Sequence, residues 1–429
     1  MSHTEIDPRN PAALAEAERE YTLVAGNRLS LDLSRGKPAA EQLDLSRGLE
    51  DALAGNYRAA DGTDVRNYGG LRGLPEAREL GARLMDAPAA NVIAGGNSSL
   101  TLMHLVVSTA LTDGLWGDER RWGNVEKPKL LAPVPGYDRH FTLSEALGVE
   151  LVTVPMTDTG PAMDEVARLA AADASVKGIW CVPKYANPTG ATYDDATVEA
   201  MAELPAKAAA DDFVVLWDNA YAVHHIEFPG DELASLYDAG ERAGTGAHLV
   251  QFASTSKITY AGAGIAFVAS HETVLAALER QLGVRMICPD KLNQLRHARF
   301  LGTHLDELMR QHGAILKPKF DLVQKTLDTE LAAWGARWTR PNGGYFVSLD
   351  LEPGLASTVV TLAREVGLTL TPAGATYPYG RDPHDSNIRI APTFATLEEL
   401  AAAMQVLTLC VKLATLRKHT ARKEESHSP

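Results

Sequence analysis

The chain has 429 residues, 45% of them hydrophobic and 22% charged, with a formal net charge of −14. That length exceeds one ordinary domain and predicts two domains, or one large α/β core with an appendage. The acidity argues against a nucleic-acid or anionic-membrane partner, and any acidic substrate would have to be met by a local cluster of Arg or Lys.

The three cysteines, Cys181, Cys288 and Cys410, are too widely spaced for a metal motif, and a disulfide framework is not expected. The opening residues are polar and helix-forming with no apolar secretory segment, and no apolar run reaches membrane-spanning length. A soluble cytoplasmic protein is expected.

Residues 11–28 read as an amphipathic helix, followed by an extended "LSLDLSRGKP" that ends in a Gly/Pro turn. From about residue 75 to 270 helices and strands alternate. "PEARELGARLM" and "SSLTLMHLVVSTAL" read as helices and "KLLAPVPGY" as a strand; after a polar loop at 115–128 and the helices between them come "VELVTVPM" and "GIWCVP". After a helix at 194–210, "DDFVVLWDNAY", "HLVQFAS" and "GIAFVAS" read as strands. Near-continuous apolar strands separated by helices predict a mostly parallel, seven-stranded-type sheet covered on both faces.

A long helical region near 300–333 precedes "ARWTRPNGGYFVSLDL", "GLTLTPAGATYP" and "NIRIAPTF", which read as strands of a smaller α+β domain. The charged end, "LRKHTARKEESHSP", reads as a helix fraying into a disordered tail. The expected division is an N-terminal arm joined to the small domain over 1–45, a large domain over 46–310, the small domain over 311–420 and a tail over 421–429.

In a parallel α/β sheet, ligands bind beyond the carboxyl ends of the strands. There the sequence sets Tyr137 in "VPGYDRH", Asn187 in "ANPTG", Asp218 and Tyr221 in "WDNAY", and Lys257 in "STSK". A lysine held in an apolar pocket is disfavoured in its charged form and becomes a better nucleophile. Each residue also has a plain reading. Lys257 would be a surface lysine at a strand end, Asp218 a helix cap, Asn187 an Asx-turn residue and Tyr137 a rim aromatic. In "AGGNSSL" a Gly pair opens a helix, so Gly96, Asn97 and Ser98 would present backbone N–H groups to an anion, or form an ordinary N-cap.

The ordered set "NPTG", "DNAY", "STSK" and "IRIAPT", over about residues 30–400, resembles the fold-type I pyridoxal-phosphate aminotransferases of class I/II. "LSRGKP" and "STSKITYAGAG" look like a divergent bacterial aspartate aminotransferase subgroup. The resemblance implies pyridoxal 5'-phosphate held by Lys257 as a Schiff base, with the large domain binding it. Lys257 would also move the substrate proton, Asp218 would pair with the pyridinium nitrogen, Tyr221 and Asn187 would bond the phenolic oxygen, and Tyr137 would stack on the ring. Gly96, Asn97, Ser98 and Ser254 would hold the phosphate, joined by Tyr68 from a second subunit, which implies a homodimer with shared sites.

Arg389 would clamp the substrate α-carboxylate and Gly36 would approach the substrate closely. Arg35 is the candidate reader of a distal carboxylate, with the partner subunit's Arg285 or Arg296 as rival. One departure stands out: Ile265 occupies the position, eight residues after the lysine, where an arginine commonly meets the phosphate.

The implied reaction moves an amino group between small amino acids and 2-oxo acids, with aspartate and 2-oxoglutarate as the leading pair. Other readings are an aromatic, kynurenine-type or broad-specificity aminotransferase, a fold-type I lyase, and a ligand-sensing regulator. The last would need a basic winged-helix segment ahead of residue 30.

Overall fold

Apolar runs without polar alternation must be covered on both faces, and the computed structural model, which describes residues 11–26 and 29–425, places them that way. In chain order the strands are β1 (Leu31–Asp32), β2 (Val92–Ala94), β3 (Lys129–Val134), β4 (Glu150–Thr157), β5 (Gly160–Pro161), β6 (Val176–Cys181) and β7 (Val214–Asp218). They continue with β8 (Leu249–Ser254), β9 (Ala266–Ala269), β10 (Arg337–Trp338), β11 (Val347–Asp350), β12 (Leu368–Thr369) and β13 (Asn387–Ile390).

One eight-stranded sheet runs in the order β2-β9-β8-β7-β6-β3-β4-β5. Strands β3, β4, β6, β7 and β8 are parallel, whereas β9 is antiparallel to both its neighbours and the two-residue β5 is antiparallel to β4. The sheet is therefore mostly parallel as expected, with β5 added at one edge.

Every residue of β6 and β7 is buried. On one face Leu130, Leu216, Val250 and Phe252 pack with Val106 and Leu275, from the helices Ser99–Thr112 and Glu272–Arg285. On the other, Leu131, Ile179, Val215 and Trp217 pack with Val166, Val198 and Met201, from the helices Met163–Ala172 and Asp195–Lys207. Burial of this extent is the main favourable term holding the sheet in place.

The N- and C-terminal segments share another core. β10, β11 and β13 form an antiparallel sheet and β1 pairs with β12 in parallel. Around them Leu33, Val347, Leu349, Ile390, Leu400 and Leu407 are buried together. The 40-residue helix Lys291–Glu330 spans both cores, with Leu295, Leu301 and Leu305 packed beside the large sheet and Leu316, Phe320 and Val323 in the terminal core. Its Asp290 cap accepts a hydrogen bond from the Asn293 N–H, so the helix begins well before the expected residue 300.

Two other expectations change, and one strand, β2, had no counterpart in the sequence reading. The first helix is Pro11–Ala25, and residues 27–28 lie outside the described residues. β2 is too short to show a period and exists because its backbone ladders onto β9. The run "GLTLTPAGATYP" contributes only two strand residues, since β12 has only β1 as a partner.

The final helix continues to Glu425, so the expected tail starts inside it; residues 426–429 lie outside the described residues. Its segment Leu397–Ala421 is long and apolar enough to span a membrane by composition, contrary to the sequence reading. Most of that stretch is buried against the terminal core, as suits the core helix of a globular protein.

Candidate active site

Four neighbouring parallel strands, β3, β6, β7 and β8, send their carboxyl ends to one edge of the sheet. Beyond those ends stand Tyr137, Asn187, Asp218 with Tyr221, and Lys257. Tyr137, Asn187, Tyr221 and Lys257 all line two adjoining cavities, of about 250 Å³ and about 660 Å³. The smaller also holds Asn97, Ser98, Ser99, Asp218, Ser254, Ser256 and Ala261. The larger opens onto Ser34, Arg35, Gly36, Asp138, Arg139 and Arg389.

Lys257 sits in the turn that follows β8, where the Ile258 and Thr259 N–H groups both donate to the Thr255 carbonyl. Its Nζ lies 5.0 Å from the centre of the Tyr221 ring, and it forms no ion pair among the described residues. Burial pushes the ammonium below its ordinary value, and the charge of Asp218 pulls the other way. Burial of that kind makes a lysine amine a better nucleophile. Burial likewise raises the phenols of Tyr137 and Tyr221, so both remain neutral hydrogen-bonding groups.

Asp218, almost fully buried at the end of β7, shows two different oxygens. Oδ2 is 2.9 Å from His140 Nε2, whereas Oδ1 is buried with no hydrogen-bond partner. His140 lies three residues beyond Tyr137 on the helix Asp138–Ala146 and stacks on Trp180 at 4.3 Å. A buried carboxylate oxygen without a partner is costly in isolation. On the wall of a cavity it marks the place for a donor from a bound molecule.

One end of the smaller cavity is built from the turn before the helix Ser99–Thr112. Ser98 is its N-cap residue yet makes no side-chain cap, which leaves the hydroxyl free of the helix. Asn97 Nδ2 donates to the Gly262 carbonyl and ties this turn to the loop after Lys257. No arginine lines the cavity. Gly96 does not line it either; its carbonyl accepts from the Ala266 N–H at 2.7 Å.

Ile265 is buried in the apolar core beside Ile258 and Phe267, with its backbone held by Thr255. Of the nearby glycines, Gly264 is the one the packing requires, because a Cβ there would stand 2.8 Å from Thr255 Oγ1.

Arg389, on β13, is buried and lies over the Phe346 ring, with 4.9 Å from Cζ to its centre. Gly36 also faces that ring, and a Cβ would meet Phe346 Cζ at 2.4 Å. Arg35 is an exposed side chain on the larger cavity, whereas Arg285 and Arg296 line neither cavity of their own chain. Tyr68 is 80% exposed and likewise stands away from both.

The sequence reading passed over Asp138, Arg139 and His140. The signal was present in "YDRH", which follows a strand and turns at once into a helix.

A neutral floor lies beneath Lys257. Gln42 Nε2 is 3.0 Å from His312 Nδ1, and His312 Nε2 is 3.0 Å from the Ile258 carbonyl. Burial lowers His312 to about 4. His224, buried under the same turn, is pushed well below its ordinary value by that burial.

Residues 7–423 match the family described as aspartate amino-transferase. The chain belongs to that family. It is 44% identical over 408 residues to the aspartate aminotransferase of Corynebacterium glutamicum, covering 93% of each chain. A Mycolicibacterium smegmatis protein named as an aminotransferase is 45% identical over 404 residues, 92% of this chain and 94% of its own. The crystal structure of an aspartate transaminase from Corynebacterium glutamicum superposes with a TM-score of 0.91 at 41% identity, covering 97% of this family member and 100% of that chain.

Proposed function

We propose that the protein is a cytoplasmic, pyridoxal-phosphate-dependent aminotransferase whose leading substrates are aspartate and 2-oxoglutarate. The observation that carries this reading is Asp218 Oδ1, buried and without a partner on the wall of a cavity that also holds Lys257. An acid at one end, an amine at the side and an anion cup of Asn97, Ser98 and Ser254 fit a phosphorylated pyridine aldehyde.

When bound, pyridoxal phosphate supplies an aldehyde that takes up amino groups and a ring that accepts the electron pair released at the substrate α-carbon. Asp218 Oδ1 would hold the ring nitrogen protonated, and His140 fixes that carboxylate from its other oxygen. Tyr221 and Asn187 would donate to the ring oxygen and Tyr137 would cover a ring face. Lys257 Nζ would take the proton from the substrate α-carbon as a base and hand it to the cofactor from the same side, and burial lowers its basicity for that role. Arg389 would hold the substrate α-carboxylate, with the Phe346 ring packed against its guanidinium.

The dicarboxylate preference is supported by the guanidinium of Arg35 on the larger cavity and by the names of the relatives. A homodimer is supported by the exposed Tyr68, Val284, Ile287 and Leu292, apolar groups that a second copy would cover. In the test, the purified protein is incubated with pyridoxal phosphate and screened with aspartate, glutamate, alanine, phenylalanine and kynurenine as amino donors. Visible absorbance that borohydride abolishes while fixing the cofactor to Lys257, and fastest transfer from aspartate to 2-oxoglutarate, are expected. Absorbance without transfer from any amino acid would refute the function.

A further inference from the structure

The proposed substrate clamp is already answered by a carboxylate of its own chain. Arg389 Nη1 donates to Asp138 Oδ1 at 2.8 Å and to Asn187 Oδ1 at 3.3 Å. The other nitrogens are poorly served. Nη2 reaches Thr371 Oγ1 at 3.4 Å and the Ser34 carbonyl at 3.5 Å, and Nε is buried with no partner. Exposure is unequal across the pair, with 7% of the Arg389 side chain accessible against 27% for Asp138. The cation is fixed in the wall and the acid stands at the cavity face.

A buried guanidinium cannot be left bare without a large penalty. We propose that Asp138 is an internal stand-in for the substrate carboxylate. It neutralises Arg389 in the substrate-free enzyme and releases Nη1 when an α-carboxylate arrives. The inference rests on reading Arg389 as the α-carboxylate clamp.

Three features suit exchange rather than a permanent structural pair. Asp138 lines the 660 Å³ cavity and so has room to turn aside. It is the first residue of the helix Asp138–Ala146, where a negative charge is favoured by the helix N-terminus after leaving Arg389. Arg139, exposed on the same cavity, offers a solvated cation close by.

A competing internal acid weakens every bound carboxylate alike. Transamination must release a 2-oxo acid in one half and an amino acid in the other before the next substrate enters, so weaker holding speeds exit at the expense of affinity. Asp138 is thus a positioning residue that sets affinity through Arg389 and takes no part in bond breaking.

The sign of one measurement decides between exchange and scaffolding. Succinate binding to the cofactor-loaded wild type and to Asp138→Asn is measured by calorimetry. Exchange predicts binding about fivefold tighter in the variant, the order expected for a partly exposed ion pair, with KM for aspartate and 2-oxoglutarate falling together. Succinate binding that is weaker or unchanged in a folded Asp138→Asn overturns the proposal.

Wild-type crystals soaked in succinate give a second reading that does not depend on the variant's folding. Asp138 displaced from Arg389 supports exchange, and Asp138 still bonded to it with succinate in place overturns it. If Arg389→Ala binds succinate as well as wild type does, the clamp itself is misassigned and the functional reading loses its substrate geometry. Equal binding by wild type and Asp138→Asn, with loss in Arg389→Ala, removes the exchange alone.

Discussion

At the residue scale, the candidate site pairs the part-buried Lys257 with Asp218, whose Oδ1 is buried without a partner. Lys257→Ala removes the nucleophile and the base together, and kcat should fall by about three orders of magnitude or more. Borohydride should then fix no cofactor, and near-normal turnover would remove Lys257 from the chemistry. His140 holds only one oxygen of Asp218. His140→Leu should therefore weaken cofactor retention by about tenfold, the cost of stripping one bond from a buried charge. Asp218→Ala should lose far more; dialysis against buffer, followed by absorbance, ranks the two.

Arg35, exposed at the cavity rim, has a narrower role. Arg35→Ala should lose aspartate turnover far more than alanine turnover, and equal losses would indicate a merely positional part.

At the element scale, two contacts couple the N-terminal segment to the site. Gly36 lies against Phe346, which in turn backs Arg389. Gly36→Ala would force the ring aside, at a cost of about 1–3 kcal/mol, and KM should rise more than kcat falls. The second contact runs from Gln42 through His312 to the carbonyl of Ile258, next to Lys257. Gln42 Oε1 accepts from the Ala39 N–H at 3.0 Å, which fixes its Nε2 as the donor toward His312. A proton on His312 Nδ1 would meet that donor head-on.

His312 is lowered to about 4 from 6.5, so between these values the unfolded chain binds the proton first. Stability should then fall as pH drops through that window, by up to about 3 kcal/mol from this residue. His297, lowered to about 4 beside Thr259, adds to the same slope. Thermal unfolding between pH 7 and 4 should show the decline, and His312→Gln should flatten it. An unchanged slope in that variant would assign the effect elsewhere.

At the scale of the whole molecule, the proposed second copy has a direct test. Sedimentation should give twice the 46.1 kDa chain mass, and Tyr68→Ala should reduce cofactor retention although Tyr68 touches neither cavity of its own chain. Monomers with full activity would remove the shared site.

The sequence by itself determined the parallel strands of the sheet and the edge at which the candidate site residues gather. Near-continuous apolar strands admit a two-sided burial, and the polar residue after each of β3, β6, β7 and β8 can only emerge at the carboxyl end. Tyr137, Asn187, Asp218 and Lys257 were legible for that reason. Only the tertiary structure decided the contacts between distant segments. β2 has too few residues to show a period and depends on β9. Asp138 reads as an ordinary first-turn acid until β13 brings Arg389 to within 2.8 Å of it. Ile265 turns into the apolar core and not toward the cavity lined by Ser98 and Ser254, and Gly96 is absent from that cavity's wall. Strand and helix periods are local properties of the chain, whereas the partner of a buried charge is set by packing across hundreds of residues.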